Sequence, residues 1–371
     1  MSAPAAPVIR VALSKVEQEL SQRLKEAQGA GDAPVIKARM SNLVVFCSNS
    51  EQAERVSAEI PAIVAVHPAR VIILAPDCPA DASDIVASLR VQSHRLGQTN
   101  VCSEEIFLHA RERSLDSLPF AVRSLLVGDL PTNLWWASPM PPPLAGTLLY
   151  DLAEYAQQLI YDSLGWVDPH RGVSATAPWL ERFERAPGQP RWRVASDLNW
   201  RRLKYWRRLL GQSLDPNSAP GAIESITDVL VEHGPHAVTQ AWELVGWLAA
   251  RLGWRVQATR VQPGLQISWQ VESRHGKLRV CIARLAEGPS EIRRIRIACV
   301  LDGKPVTLNC VVEDERRLSA QPEGIATAPR TVTFQRQSVA ELISRQLSDR
   351  EPDPVFRESM EIARVFAQSV L

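Results

Sequence analysis

Two adjacent carboxylates are the first residues in this sequence that could do chemistry. Glu104 and Glu105 lie in the apolar stretch VCSEEIFLHA (101–110), and His109 follows on the same side as Glu105. Two carboxylates act as a general acid and base only if both reach one substrate. Neighbouring side chains of a strand point to opposite faces, so this pair cannot work together. A lone carboxylate–histidine pair is weak evidence for catalysis, and the pattern favours structural roles.

The sequence lacks the motifs of cofactor, nucleotide and metal chemistry. No G-x-G-x-x-G follows a strand, and the phosphate-loop, zinc-protease and nucleophile-elbow patterns are absent. A phosphate-binding turn normally carries glycine, because a side chain keeps the backbone away from the phosphate. Gly29 and Gly31 precede Pro34 and indicate a helix end instead. We therefore expect no catalytic residue, no cofactor and no metal site.

The cysteines indicate reduced thiols. None of the six forms a C-x-x-C pair or has a histidine at metal-ligand spacing. Asp302-Gly303 predicts a two-residue hairpin in which Cys299 faces Val306. Cys310 then lies about 13 Å further along the sheet, whereas a disulfide needs Cα atoms within roughly 7 Å. We expect mostly buried, unpaired thiols, as in a cytoplasmic protein.

The segment DLNWRRLKYWRRLL (197–210) combines basic and aromatic side chains. As a helix it would carry Trp200 and Trp206 on one face and Arg201 and Arg208 on another. One interpretation is a packed helix with a solvated basic side, near the acids of residues 151–162. A second is contact with a partner protein. Binding to nucleic acid or membrane is disfavoured, because the formal net charge is only +1 and one short strip supplies few phosphate contacts.

The aromatic residues are concentrated in the middle of the chain. All eleven tryptophans lie between Trp135 and Trp269. Each buried indole removes roughly 150–250 Å² from water, so the cluster predicts an inter-domain core. It could also supply aromatic anchors for a partner. No apolar run approaches the ~20 residues that a membrane span requires, and the start of the chain lacks the features of a secretory signal.

The first half predicts a mixed α/β sheet. Strands are expected over 42–47, 70–76, 86–94, 101–110 and 133–138. Helices are expected over 11–28, from an N-cap at Ser48 or Ser50 to about residue 66, over 115–126 and over 144–163. Pro61 predicts a kink or a split in the second helix. The stretch 165–196 is rich in loop residues, and we expect residues 165–213 to be a Trp-rich helical extension of an N-terminal domain over 1–213. The cluster LDPNSAPG predicts a linker over 214–221.

The second half predicts an α+β domain over 222–371. Val238, Trp242, Val245 and Leu248 line one face of a helix that ends at Gly253. Strands with alternating apolar residues follow over 265–271, 277–283, 295–301, 305–312 and 331–334, and helices over 338–348 and 354–370 close the chain. We expect an antiparallel sheet with helices on one face. The fold class is therefore α/β plus α+β.

Several stretches resemble one family in their order and spacing. They are HPARVIIL (67–74), VCSEEI (101–106), LPFAVRSLLVGDLPTNLWW (118–136), LIYDS (159–163), DLNWRRL (197–203) and WELVGWLAARLGW (242–254). Together they resemble OpcA, the glucose-6-phosphate dehydrogenase assembly protein, over residues 42–337. The resemblance implies a non-catalytic, cytoplasmic partner that promotes assembly of glucose-6-phosphate dehydrogenase and activates it allosterically. Such a protein serves the oxidative pentose phosphate pathway in carbohydrate metabolism.

The resemblance does not identify the contact residues. We expect one of Trp135 and Trp136 to face outward and contact the dehydrogenase, together with a basic and aromatic group from the 197–210 segment: Trp200, Arg201, Arg202 and Arg208. Packing is an equally good explanation for each. An alternative function is an uncharacterised enzyme that binds a sugar phosphate or a nucleotide in the N-terminal α/β domain. A nucleic-acid-binding regulator is a third.

Overall fold

A computed structural model describes residues 9–29, 35–36, 39–77, 84–96, 99–185, 193–217, 219–325 and 328–370. The first half contains nine strands of one sheet: β1 (Ile9–Val11), β2 (Val35–Ile36), β3 (Ser41–Phe46), β4 (Ala69–Ala75), β5 (Ile85–Leu96), β6 (Thr99–Ala110), β7 (Thr132–Trp136), β8 (Ala156–Tyr161) and β9 (Val194–Asp197). Its helices are α1 (Val16–Gly29), α2 (Ser50–Val66), α3 (Leu118–Leu125), α4 (Thr147–Leu152), α5 (Pro169–Glu184), α6 (Leu198–Arg202) and α7 (Lys204–Ser213).

Six of the described strands form one continuous parallel series, and β2 pairs parallel with β6 beside that series. The order of these six across the sheet is β6-β4-β3-β7-β8-β9. The strands β4 and β6, which follow β3 in the chain, lie on one side of β3, and the later strands β7, β8 and β9 lie on the other side. β5 is antiparallel to β6 and lies between β6 and β1. The predicted mixed α/β sheet is confirmed. β3 and β4 are buried along their whole length, as expected for central parallel strands with helices on both faces.

Two predictions in this half are wrong. The helix expected over 144–163 is a short 3-10 turn at Pro142–Leu144, α4 and then β8. Pairing of β8 with both β7 and β9 overrides the local helical pattern. The stretch expected to be loop-rich contains α5, which begins at the Asp168 cap with Pro169 in its first turn. α2 runs through Pro61 without a split.

The second half forms an eight-stranded sheet. Its strands are β10 (Ile226–His233), β11 (Arg255–Gln262), β12 (Gln266–Ser273), β13 (Gly276–Arg284), β14 (Ile292–Leu301), β15 (Lys304–Asp314), β16 (Arg317–Glu323) and β17 (Arg330–Thr333). The sheet is antiparallel as predicted, except that β10 and β13 are parallel. The sequence patterns had not indicated β10, β11 or β16.

Helices α8 (Val238–Leu252), α9 (Val339–Ser348) and α10 (Pro354–Gln368) complete the structure. α8 ends at Gly253, whose φ of 66° is the left-handed conformation that glycine favours. α10 packs against both α8 and α5, and α9 packs against α2. Gln158 on β8 donates to the backbone oxygens of Gln346 and Asp349, at 2.9 Å each. The last two helices therefore pack against the first half of the chain, and the division at residues 214–221 stays a prediction.

Candidate functional site

Glu104 and Glu105 point to opposite faces of β6, and both are buried. Glu104 pairs with Arg39 and Arg70, whereas Glu105 accepts from Ser57 beneath α2 and lies 3.7 Å from Arg90. Burial, opposed by Ser57 and Arg90, raises the pKa of Glu105 to about 7. The predicted structural roles agree with these contacts, because each carboxylate is engaged by groups of the chain itself.

The turn between β3 and α2 lies at the carboxyl edge of the parallel sheet. It reads Cys47-Ser48-Asn49-Ser50 and contains no glycine. The Asn49 side chain caps α2 by accepting from the backbone N–H of Gln52 at 2.9 Å, so the predicted cap at Ser48 or Ser50 is wrong. Asp77, two residues beyond the end of β4, accepts from the backbone N–H of Ser50 at 2.6 Å and from its hydroxyl. His109, at the end of β6, lies 3.1 Å from the same hydroxyl.

The end of β7 closes this edge from the other side. The Ser48 hydroxyl donates to that of Ser138 at 3.0 Å, and the Gln52 amide donates to the backbone oxygen of Ala137 at 2.6 Å. Trp136 stacks on Phe46 with ring centroids 4.3 Å apart. The two loops at the centre of the sheet are thus joined by direct hydrogen bonds.

The prediction that Trp135 or Trp136 faces outward is wrong. Both indoles are buried, because β7 is a central strand with helices on each face. Trp136 donates from its ring nitrogen to the backbone oxygen of Met140. The two indoles do lie on opposite faces of β7. Each face is covered, so Trp136 packs in one hydrophobic cluster and Trp135 in the other, and neither faces solvent.

The basic segment 197–210 folds as α6 and α7. Trp200 is buried, donates to Asp353 at 2.8 Å, and carries the guanidinium of Arg207 3.4 Å above its ring. Burial, only partly offset by Asp353 and Glu243, lowers the pKa of Arg207 to about 10. The packed-helix interpretation therefore holds for the aromatic face.

The predicted contact arginines differ in what they touch. Arg201 bonds Gln346 and Asp349, and Arg202 makes two 2.7 Å bonds to Asp162. The pairing of Arg202 with Asp162 matches the expectation that acids of 151–162 lie nearby. Arg208 is exposed. Contact of these residues with a partner stays a prediction.

A buried acid pair lies where the two halves meet, and no motif in the sequence indicates it. Asp197 ends β9 and Glu243 lies on α8; both are almost inaccessible. Burial raises the pKa of Asp197 to about 6 and, reinforced by Asp197, raises the pKa of Glu243 well above its usual range. Glu243 Oε2 has no donor partner, whereas its Oε1 accepts from Ser163 at 2.9 Å. A proton on Glu243 that is donated to Asp197 satisfies both groups.

The thiols are structural. Cys47, Cys281, Cys299 and Cys310 are free and buried, and burial raises the pKa of Cys47 and of Cys310 to about 12. Cys299 pairs with Val306 in the hairpin register, as predicted, so it cannot bridge to Cys310. Cys78 and the side chain of Cys102 lie outside the described residues.

Within the described ranges, no group of three or more histidine, cysteine or acidic side chains could hold a metal ion. The helices that the structure describes include none with both the length and the apolar character of a membrane span.

The parallel strand order defines the class of protein. In chain order the six parallel strands are arranged 3-2-1-4-5-6, which is the doubly wound arrangement of dinucleotide-binding domains. The chain is therefore a doubly wound domain joined to a second sheet, and its switch point lies between β3 and β7.

Comparison with known families assigns the chain more closely. The family model of the glucose-6-phosphate dehydrogenase subunit N-terminal domain matches residues 60–177, and the model of the C-terminal domain of that subunit matches residues 193–360. The chain belongs to the OpcA family.

Known relatives are consistent with this assignment. The putative OxPP cycle protein OpcA of Synechococcus elongatus is 27% identical over 231 residues, which cover 61% of this chain and 49% of that protein. The protein of the same name from Nostoc punctiforme is 27% identical over 289 residues, which cover 77% of this chain and 50% of that protein. The chain thus spans about half the length of the curated relatives it matches.

The solved structure of a super-repressor mutant of Gal80p from Saccharomyces cerevisiae aligns with this chain at 11% identity and a TM-score of 0.49. The alignment covers 89% of this chain and 95% of the Gal80p chain. A likeness at this level carries no functional information.

Proposed function

We propose that this protein binds glucose-6-phosphate dehydrogenase, promotes its assembly and activates it without performing catalysis itself. The observation that carries the proposal is the match of both subunit domains, in order, along residues 60–360. An activator must bind the active state of the enzyme more tightly than the inactive state. A ten-fold difference in affinity corresponds to about 1.4 kcal/mol.

The alternative, an enzyme that acts on a sugar phosphate or a nucleotide, draws support from the doubly wound strand order alone. Against it, the acids of β6 are engaged internally, and the turn after β3 is bonded to side chains of the chain. A domain of this fold can serve as a surface, since fold does not determine function.

The test is a titration of this chain into the purified dehydrogenase from the same organism. Light scattering after gel filtration reports the mass, and the rate of NADPH formation reports the activity. We expect a heavier complex and a changed apparent KM or kcat. If neither the mass nor the kinetics changed at micromolar concentrations, the proposal would be abandoned.

The exposed side of α7 is our candidate contact surface. Lys204 and Arg208 are exposed there, next to the partly exposed Arg201 and Arg202. We expect Arg208→Glu to weaken binding about five-fold or more, mainly through slower association, because charge reversal at an interface acts on encounter. Arg182→Glu, an equally exposed change on α5, is the control. Equal affinity of the two variants for the dehydrogenase would show that the contact surface is not the exposed side of α7.

A further inference from the structure

A doubly wound sheet implies a place for a dinucleotide. Such a ligand lies outside the carboxyl ends of the strands at the switch point, with its phosphates against the N-terminus of the helix after the first parallel strand. In this chain that helix is α2, and the crevice lies between the ends of β3 and β7. Whether the residues there fit such a ligand can be judged from their contacts.

Three backbone N–H groups at the start of α2 already have acceptors. The N–H of Ser48 donates to the Gln52 side chain at 2.7 Å, that of Ser50 to Asp77 at 2.6 Å, and that of Gln52 to the Asn49 side chain at 2.9 Å. These N–H groups are the donors that a phosphate at a helix N-terminus requires. All three acceptors belong to the chain itself.

One of those acceptors is charged. Partial burial alone would raise the pKa of Asp77, but hydrogen bonds from Ser50 and the neighbouring His109 lower it. Asp77 is therefore ionised at neutral pH. Its negative charge lies at the positive end of the α2 dipole, where an anion is stabilised. A phosphate brought to the same place would meet a like charge at close range.

Side chains also occupy the approach to the helix. The turn carries Ser48, Asn49 and Ser50 where a dinucleotide site carries glycines. The hydrogen bonds from Ser48 to Ser138 and from Gln52 to Ala137 cross the crevice between the two central loops. A pyrophosphate would compete with these bonds.

We infer that the Asp77 carboxylate substitutes for the ligand phosphate, so that this crevice takes neither NAD(P) nor another nucleotide phosphate. The residues present do not fit the cofactor that the strand order implies. The inference deepens the non-catalytic part of the proposed function and rests on it for its biological meaning.

The first experiment titrates NADPH and NADH into the full-length protein and follows the nicotinamide fluorescence. We expect no saturable binding up to millimolar concentrations. Saturable micromolar binding that Asp77→Ser abolishes would make Asp77 a ligand of the ribose and would overturn the inference.

The second experiment removes the Asp77 carboxylate from the N-terminus of α2. Asp77→Ser removes the charge and keeps a small polar side chain. We expect inorganic pyrophosphate to raise the Tm of this variant by about 1–2 °C at a few times its dissociation constant, and to leave the native protein unchanged. The control is Asp168→Ser, which removes the carboxylate that caps α5 away from the crevice.

If pyrophosphate raised the Tm of both variants equally, or left the Tm of Asp77→Ser unchanged, the inference that Asp77 takes the place of a phosphate would be contradicted. If Asp77→Ser failed to fold, the titrations of the native protein would still decide. A failure of this inference leaves assembly of the dehydrogenase intact, and a failure of assembly leaves the nucleotide titrations intact, so the two proposals fail separately.

Discussion

At the scale of single residues, the acids of this protein are defined by what buries them. Glu104 and Glu105 are neighbours in sequence with separate partners on the two faces of β6. Asp197 and Glu243 are 46 positions apart in sequence, and burial raises the pKa of both carboxyl groups. An ionised pair in such a place would be costly, because neither charge could be hydrated.

The acid pair predicts an unusual dependence of stability on pH. Because the pKa of Glu243 is raised in the folded protein, its proton stabilises the fold fully below the unfolded pKa and less as the pH rises toward the folded pKa. One such proton contributes a slope of about 1.4 kcal/mol per pH unit across that window. Glu243→Gln keeps the donor to Asp197 but removes the titration, so we expect a flatter decline in the free energy of unfolding from pH 5 to pH 8.

Urea unfolding at several pH values measures this slope. Glu351→Gln, an exposed change in the loop before α10, should follow the native protein. Parallel curves for Glu243→Gln and the native protein would show that the pair is not protonated in this way.

At the scale of elements, capping residues determine where helices begin, and a close contact between two helix backbones determines how α8 and α10 pack. Ser338 and Glu341 form a capping box that starts α9, and Asp353 caps α10 while it accepts from Trp200. One change at Asp353 would therefore disturb both a helix start and an aromatic contact. The α8–α10 contact depends on a glycine, because a Cβ at Gly246 would lie 2.5 Å from the backbone oxygen of Ser359.

This close approach predicts a loss of stability in Gly246→Ala. The added methyl would force α8 and α10 apart, and overpacking of this kind costs about 1–3 kcal/mol. Gly211→Ala in α7 is the matched control, since nothing lies within 4 Å of its Cβ position. We expect the control to be neutral or to stabilise by up to about 1 kcal/mol, because alanine favours the helix. Thermal unfolding of both variants tests the difference, and equal Tm values would mean that the helices are not in tight contact.

At the scale of the whole molecule, the C-terminal helices join the two halves. α9 contributes Leu342, Ile343 and Leu347 to the cluster under α2, and α10 lies between α5 and α8. His170 on α5 bonds the backbone oxygen of Ala367, and Glu184 pairs with Arg357. These contacts couple the stability of the doubly wound sheet to the end of the chain.

This coupling predicts that a chain ending at Gln337 cannot fold cooperatively. It would lose several large buried side chains, each worth about 2–5 kcal/mol, against a total stability of about 5–15 kcal/mol. We expect the native protein to unfold in one calorimetric transition and the truncated chain to show none. Removal of residues 370–371 alone is the control. A sharp transition in the truncated chain would mean that the halves are independent.

The sequence by itself determined the fold class, the buried strands β3, β4 and β6, the hairpin register at Asp302-Gly303 and the family. These depend on local chemistry: apolar runs, turn residues and short motifs act over a few positions. Local patterns also misjudged residues 144–163 and 165–196, where pairing with β7 and β9 and packing against α10 decide the outcome.

Only the tertiary structure decided the strand order, the burial of Trp135, Trp136 and Trp200, and the meeting of Asp77 with Ser50 and of Asp197 with Glu243. Each of these depends on residues far apart in the chain. The absence of a glycine-rich turn was readable in the sequence, but the carboxylate at that position was not. A carboxylate acts on whatever lies within a few ångströms of it, and folding alone determines which groups those are.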